Sequence, residues 1–254
     1  MSALRKLYRL LLLALLIVIG TILSILFLRN TIPPRGFSTT LVTTWLGLAA
    51  RTFGVKIKVF GEPLAEKTLF ISNHISWLDI LILGSLVPVH FLSKHEVKDM
   101  PVIGWLATRA GTLYIHRGKS ESASDASSEI TAVLKQNHNS LVFPKGTTTD
   151  SHIKKFHSRM TQGAIDAEAM VQPIAIFFPI PNPERGRTEL NPVTLFTRDI
   201  STGESIDMII RTASINAEVH FLKPISSKGK TRNEITQYAY DEVVDAIIAI
   251  KKRS

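Results

Sequence analysis

The sequence predicts an α/β fold: a mixed, largely buried sheet flanked by helices, preceded by an N-terminal hydrophobic membrane-anchor helix. Three observations predict it. Short, continuous apolar runs, the signature of strands covered on both faces, alternate with helix-like segments. An uncharged stretch near the N-terminus matches the thickness of a bilayer's hydrocarbon core. The 254 residues, 45% of them hydrophobic, suffice for one sizeable core.

The first element is "LLLLALLIVIGTILSILFL", Leu10 to Leu28. At roughly 1.5 Å per residue it reaches about 28 Å, against about 30 Å of hydrocarbon. A cleaved signal peptide would have a shorter apolar region followed by small residues, whereas "RNTIPPRG" follows here. Arg5, Lys6 and Arg9 precede the stretch and Arg29, Arg35 and Arg51 follow it, so flanking charge does not set its orientation. Two topologies stay open: a span with the N-terminus outside, or a hairpin or tilted insertion returning through "FSTTLVTTWLGLAARTFGV". Consecutive prolines in "IPPRG" stop a helix, dividing the chain into an anchor, 1–35, and a globular domain, 36–254.

Beyond the break, "VKIKVFG" alternates apolar and basic residues at strand period. "TLFIS" is a fully apolar strand, and "WLDILILGSL" switches to a helix. Further strands are expected at "VHFLSK", "GTLYIHR", "SLVFP", "VQPIAIFF" and "AEVHFLK". Helices are expected at "SASDASSEITAVLKQ", "SRMTQGAIDAEAM" and "NEITQYAYDEVVDAIIAIKKRS", the last with an apolar face of Ile235, Tyr238, Val243, Ile247 and Ile248. The polar stretch from Gly118 to Glu129 reads as an exposed connection.

Charge and composition limit the function. Thirty Lys and Arg against 21 Asp and Glu give a formal charge of +9, which favours anionic partners such as lipid headgroups, nucleic acid or an acidic carrier. No basic, aromatic-bearing nucleic-acid module appears, so nucleic acid is not expected as a partner. The absence of cysteine excludes disulfides, thiolate metal sites and a cysteine nucleophile. No histidine pair carries the context of a zinc site, so no metal is expected, and "PKGTTT" lacks the glycine and residue order of a nucleotide loop. The basic "HIKKFHSR" suits contact with anionic lipid or an acidic carrier as well as it suits plain solvation.

Chemistry concentrates in "NHISWLD". Five residues apart, His74 and Asp79 would diverge by about 140° on one helix. A helix starting near Ser76, with Asp79 in its first turn as a capping-box-like acid, leaves His74 on the preceding loop, free to fold back. A carboxylate on one imidazole nitrogen fixes the tautomer and raises the basicity of the ring, so the other nitrogen can act as a general base. The alternative is a simple cap beside an ordinary loop histidine.

"NHISWLD" resembles the asparagine-histidine-four-residues-aspartate motif of glycerolipid acyltransferases, the 1-acylglycerol-3-phosphate acyltransferase family. "GTLYIHR" resembles that family's second block, "FPKGT" its third and "VQPIAI" its fourth, in the family's order. The resemblance implies a membrane-bound O-acyltransferase of lipid biosynthesis. In it His74, polarised by Asp79, would deprotonate a lysolipid hydroxyl that attacks an acyl thioester of coenzyme A or acyl carrier protein. It implies no cofactor beyond that co-substrate, a membrane location with the site facing the cytoplasm, and a headgroup site formed by Arg117, Lys145, Gly146 and Thr147. Backbone N–H groups near Gly146 and Thr147, or at the helix start after Ser76, are candidate oxyanion donors.

The match departs at Lys145, where the family's block has glutamate, and at Thr148, where many members have arginine. Arg117 and Lys145 then either clamp an anionic headgroup together or repel one another in a site built for one ion pair. "GTTTD" also resembles the members that acylate lyso-ornithine and related lipids, so the acceptor is lysophosphatidic acid or a lyso-ornithine-type lipid. Two rival functions remain at this level: a catalytically impaired lipid-binding relative, and an anchored lipid or thioester hydrolase.

Overall fold

The apolar runs assemble into a mixed eight-stranded sheet in the computed structural model, which describes residues 2–28, 36–65, 67–115, 120–144, 155–196 and 200–253. The sheet contains β1 (Val55–Phe60), β2 (Thr68–Ser72), β3 (His90–Lys94), β4 (Leu113–Ile115), β5 (Ser140–Val142) and β6 (Met170–Phe177). A separate antiparallel pair follows, β7 (Pro179–Asn182) with β8 (Arg187–Leu190). β9 (Ile215–Phe221) and β10 (Ile225–Ser226) then return to the main sheet. Its order is β1-β9-β6-β2-β5-β3-β4, with β10 beside β6. β2 pairs in parallel with both β5 and β6, and β3 with both β4 and β5, whereas β9 and β10 run antiparallel to β6. Strands inside such a sheet lack a wet face, which is why every residue of "TLFIS" is buried. β1 is an edge strand, and its Lys56, Lys58 and Val59 are exposed.

The helices are α1 (Ser2–Phe27), α2 (Phe37–Thr52), α3 (Leu78–Leu86), α4 (His95–Lys98), α5 (Ile103–Arg109), α6 (Ser120–Lys135), α7 (Gln162–Asp166), α8 (Thr202–Arg211) and α9 (Arg232–Lys251). The polar stretch read as a connection is largely the first half of α6; Ala126 and Ser127 are buried, which a surface loop would not achieve. "SRMTQGAIDAEAM" forms a single 3₁₀ turn and the short α7, and its last residue already belongs to β6. On α9 the core face is Ile235, Thr236, Ala239, Val243, Ile247 and Ile250, whereas Ile248 is exposed, one position off the expected stripe. Of the break expected from Ile32 to Gly36, all but Gly36, which caps the start of α2, lies outside the described residues.

Helix α1 is long and apolar enough to cross a membrane, and most of it is not buried inside the protein. Both of its ends are tied to the globular part. Arg9, itself buried, donates to the carbonyls of Ile210, Thr212 and Ala213 at the C-terminal end of α8, while Arg5 donates to the Arg211 carbonyl and Lys6 pairs with Asp207. These cations meet the negative end of the helix dipole. At the other end, Arg109 of α5 donates to the Leu28 carbonyl at 2.8 Å. Between them α2 packs on α1: the Trp45 indole N–H donates to the Leu16 carbonyl at 2.8 Å, directly over Gly20. A Cβ at Gly20 would stand 2.6 Å from the indole nitrogen, so only glycine admits this contact.

One buried group makes the fold sensitive to acid. His90 opens β3 with its ring buried, and its Nδ1–H donates to the Gly111 carbonyl at 2.7 Å. Burial lowers its pKa, and the hydrogen bond to Gly111 opposes that only in part. A base with a depressed folded pKa binds its proton more readily in the unfolded chain, so stability falls as pH drops below the ordinary histidine value of about 6.5. Half-buried His220 is lowered by the same cause and adds to the slope. Thermal melts are expected to show a falling melting temperature from pH 7 to pH 5, with a shallower decline in His90→Asn. An unchanged slope in the variant would count against the assignment.

Candidate active site

β2 and its parallel neighbours all end at one edge of the sheet, and the site forms where β2 gives way to α3. At that exit β2 and β6 are held together by a side chain. Buried Asn73 accepts from the Ile176 N–H at 2.9 Å and donates to the Ile176 carbonyl at 2.8 Å, continuing the ladder after the strand has ended. The next residue is His74.

The turn from His74 to Leu78 is organised by one carboxylate. Asp79 Oδ2 accepts from the Ile75 N–H at 2.7 Å, from the Ser76 N–H at 3.0 Å and from His74 Nδ1 at 2.8 Å. The reach back to Ser76 is the acidic half of the expected capping box. The reciprocal half differs, because the Ser76 hydroxyl accepts from Leu78 N–H rather than from Asp79. The helix consequently starts at Leu78. Asp79 is fully buried, while the His74 side chain is 27% exposed. With Nδ1–H committed to the carboxylate, Nε2 is the ring nitrogen left to carry a lone pair.

Two aromatic contacts fix this turn. The Phe143 ring, one residue beyond β5, stacks on the imidazole with centroids 4.1 Å apart and planes 19° from parallel. Trp77 packs edge-on against Phe53 and donates its indole N–H to the Ser205 hydroxyl on α8, the same helix that holds Arg9. Phe91 of β3 lies parallel to Phe143 at 6.4 Å, and it also lines a mostly apolar cavity of about 390 Å³ walled by α1, α2, α3 and α5. Leu23, Trp45, Leu81 and Leu106 contribute to that wall. The imidazole and the cavity are thus linked through a stack of three rings.

Of the residues singled out from sequence, His74 and Asp79 are brought into direct contact. Arg117, Lys145, Gly146 and Thr147 lie outside the described residues, as does Thr148. β4 and β5, which precede them in sequence, end at the same edge of the sheet as β2. Within "HIKKFHSR", Phe156 is buried and packs edge-on against Tyr240, so that side chain is a core residue and not part of a surface patch. Among the described residues no cluster of His, Asp and Glu is arranged to hold a metal. Sequence reasoning missed Phe143 and Phe91; an aromatic just before "PKG" was visible, but its partner was not.

The family model "Acyltransferase" matches residues 56–177, a stretch that contains both members of the pair. The lyso-ornithine lipid O-acyltransferase of Pseudomonas aeruginosa is 33% identical over 204 residues, covering 80% of this chain and 76% of that protein. The chain belongs to the acyltransferase family. This acyltransferase is also 32% identical over 133 residues to the 1-acyl-sn-glycerol-3-phosphate acyltransferase of Neisseria gonorrhoeae, about half of each chain. Its fold matches the crystal structure of the 1-acyl-sn-glycerophosphate acyltransferase PlsC from Thermotoga maritima, with a TM-score of 0.71 at 17% identity, covering 100% of this chain and 97% of the other. The α/β architecture of the acyltransferase is therefore shared over its whole length.

Proposed function

We propose that this acyltransferase moves a fatty acyl group from a thioester, carried by coenzyme A or acyl carrier protein, to the hydroxyl of a lysolipid at a membrane surface. The observation that carries the reading is the His74–Asp79 contact, with one imidazole nitrogen held by a buried carboxylate and the other left free on a partly exposed ring. In this reading Nε2 takes the acceptor's hydroxyl proton as its oxygen attacks the thioester carbon. The tetrahedral intermediate then collapses, breaking the C–S bond, and the thiol leaves with a proton returned from the imidazolium. Asp79 holds the tautomer and offsets the charge that develops on the ring. The apolar cavity beyond Phe91 offers a place for a fatty acyl chain, shielded from water by α1 and α2.

Arg117 and Lys145 are proposed to face an anionic group of the acceptor. Similarity to the Pseudomonas aeruginosa protein over four-fifths of the chain favours a lyso-ornithine-type acceptor, and the shorter match to the Neisseria gonorrhoeae protein keeps lysophosphatidate as the second. For α1 the reading is membrane association with its exposed apolar side in lipid. Arg9 towards one end and Leu28 at the other, about 28 Å apart at 1.5 Å per residue, are bound to one and the same domain, which favours a helix lying along the membrane over one that separates its ends across it.

The test is an acceptor panel: purified full-length protein, a labelled acyl thioester, and lyso-ornithine lipid, lysophosphatidate and neutral lysophospholipids in mixed micelles. Transfer to a lysolipid, greatest for lyso-ornithine lipid, is expected. Free fatty acid as the only product would replace the reading with hydrolysis, and lipid binding without turnover would replace it with a scaffold.

A further inference from the structure

The corner between α4 and α5 carries exposed apolar residues that the reaction chemistry does not use. Met100, Val102 and Ile103 are 40%, 47% and 42% exposed, on three of four consecutive positions. Isolated exposed apolar side chains are ordinary, but a cluster on one tight turn marks a surface with a partner.

The turn is also strained and closely hydrogen-bonded. Val102 has φ 61 and ψ −54, a conformation that β-branched residues rarely adopt. The turn is closed by the Ile103 N–H donating to the Pro101 carbonyl at 2.6 Å. The Gly104 N–H donates to the Met100 carbonyl at 2.9 Å, and α4 and α5 approach so closely that a Cβ at Gly104 would stand 2.2 Å from the Lys98 carbonyl oxygen. Behind the tip, Tyr114 and Thr108 share a hydrogen bond at 3.0 Å, and the Thr108 hydroxyl also donates to the Gly104 carbonyl. The apolar side chains are therefore displayed on a braced corner, at a conformational cost that water contact does not repay.

The position of the corner supplies the occupant. Ile103 and Leu106 line the same apolar cavity as Leu23 and Leu28 of the α1 segment, and Arg109 of α5 donates to the Leu28 carbonyl, so α5 lies against α1. On α1 the exposed residues Leu4, Tyr8, Leu11, Leu15, Val18, Ile22 and Ile25 recur at three- and four-residue spacing and form a continuous apolar stripe. The corner adjoins the helix that bears this stripe. It also follows β3, whose C-terminal end lies at the edge of the sheet where His74 sits.

We propose that Met100 and Val102 form a second membrane contact, a lipid-inserted wedge independent of the sequence of α1, that seats the catalytic edge of the sheet against the bilayer. The inference rests on the proposed membrane-surface function, but its primary test does not depend on activity.

The chain holds no cysteine, so Met100→Cys, Val102→Cys and, on the exposed side of α9, Asp241→Cys each give a single labelling position in the full-length protein. With an environment-sensitive fluorophore on protein bound to phosphatidylcholine–phosphatidylglycerol vesicles, positions 100 and 102 are expected to shift to the blue. Quenchers carried on lipid acyl chains are expected to quench both, and to leave position 241 unchanged. Water-exposed emission at 100 and 102 in vesicle-bound protein would overturn the wedge, as would shielding that appears without lipid and grows with protein concentration, the sign of contact between copies. Should a labelled variant fail to fold, Met100→Gln/Val102→Asn provides a second measurement. Asparagine accepts positive φ more readily than valine, and the double variant is expected to lose activity several-fold toward acceptors embedded in vesicles while retaining it toward a short-chain, monomeric acceptor. Equal activity on vesicles would also overturn the proposal.

Discussion

His74→Ala is expected to abolish measurable acyl transfer, with a fall of about 10²- to 10⁴-fold or more, while leaving the fold intact. The magnitude is that of a positioned general base. The fold should survive because the imidazole is partly exposed and because Asp79 keeps its two backbone donors, Ile75 N–H and Ser76 N–H, after the ring is gone. Steady-state transfer to the preferred lysolipid, compared with the thermal midpoint of the same preparation, checks both halves. If turnover remained within a few-fold of the parent protein, His74 would be no more than the loop histidine beside a helix cap that the sequence also permits. A large loss of stability would mean that the imidazole serves the fold first.

Asn73→Ala should produce the opposite balance: a protein that folds poorly and, where it folds, has lost activity through the geometry of its neighbour. Asn73 satisfies both main-chain groups of Ile176 with its own amide, in a position almost wholly removed from solvent. Truncation leaves a buried N–H and a buried C=O without partners, at about 1–3 kcal/mol each, out of a stability that is commonly only about 5–15 kcal/mol. Because this amide is what joins the exits of β2 and β6, His74 also loses its fixed platform, and a displacement of even about 1 Å at a reacting group is costly. Chemical denaturation should show a reduced midpoint in Asn73→Ala, and transfer activity per folded molecule should fall as well. A midpoint equal to that of the parent would show that the β2–β6 junction does not need the side chain.

Much of the architecture could be read directly. "TLFIS" and "VQPIAIFF" were recognisable as buried strands because a parallel sheet covered on both faces removes any reason for polar residues to alternate. α8 is not among the helices expected from periodicity, although Ser201 and Glu204 form a complete capping box that announces its start, as Thr231 and Glu234 do for α9. The short β7–β8 hairpin offered less, since β7 (PIPN) carries two prolines and β8 (RTEL) is four mostly polar residues, so neither has the apolar, β-branched pattern of a strand.

At the site, the aspartate and the histidine stand in one short segment, and their meeting follows from local chain geometry: a strand that ends, a turn, and a helix whose first turn holds a carboxylate. That much the order of residues from Asn73 to Asp79 carries by itself, together with the apolar helix ahead of the domain and the absence of any thiol. The rest depends on contacts between residues far apart in the chain. Phe143 reaches His74 because β5 lies beside β2, Asn73 reaches Ile176 because β6 lies on the other side, and Arg9 finds the end of α8 some two hundred residues later. Periodicity and spacing report on a residue's neighbours within a few turns or a few strand positions. Which strand lies next to which is settled by packing of the whole core, and only that packing turns a histidine next to an acid into a held, stacked and partly open imidazole.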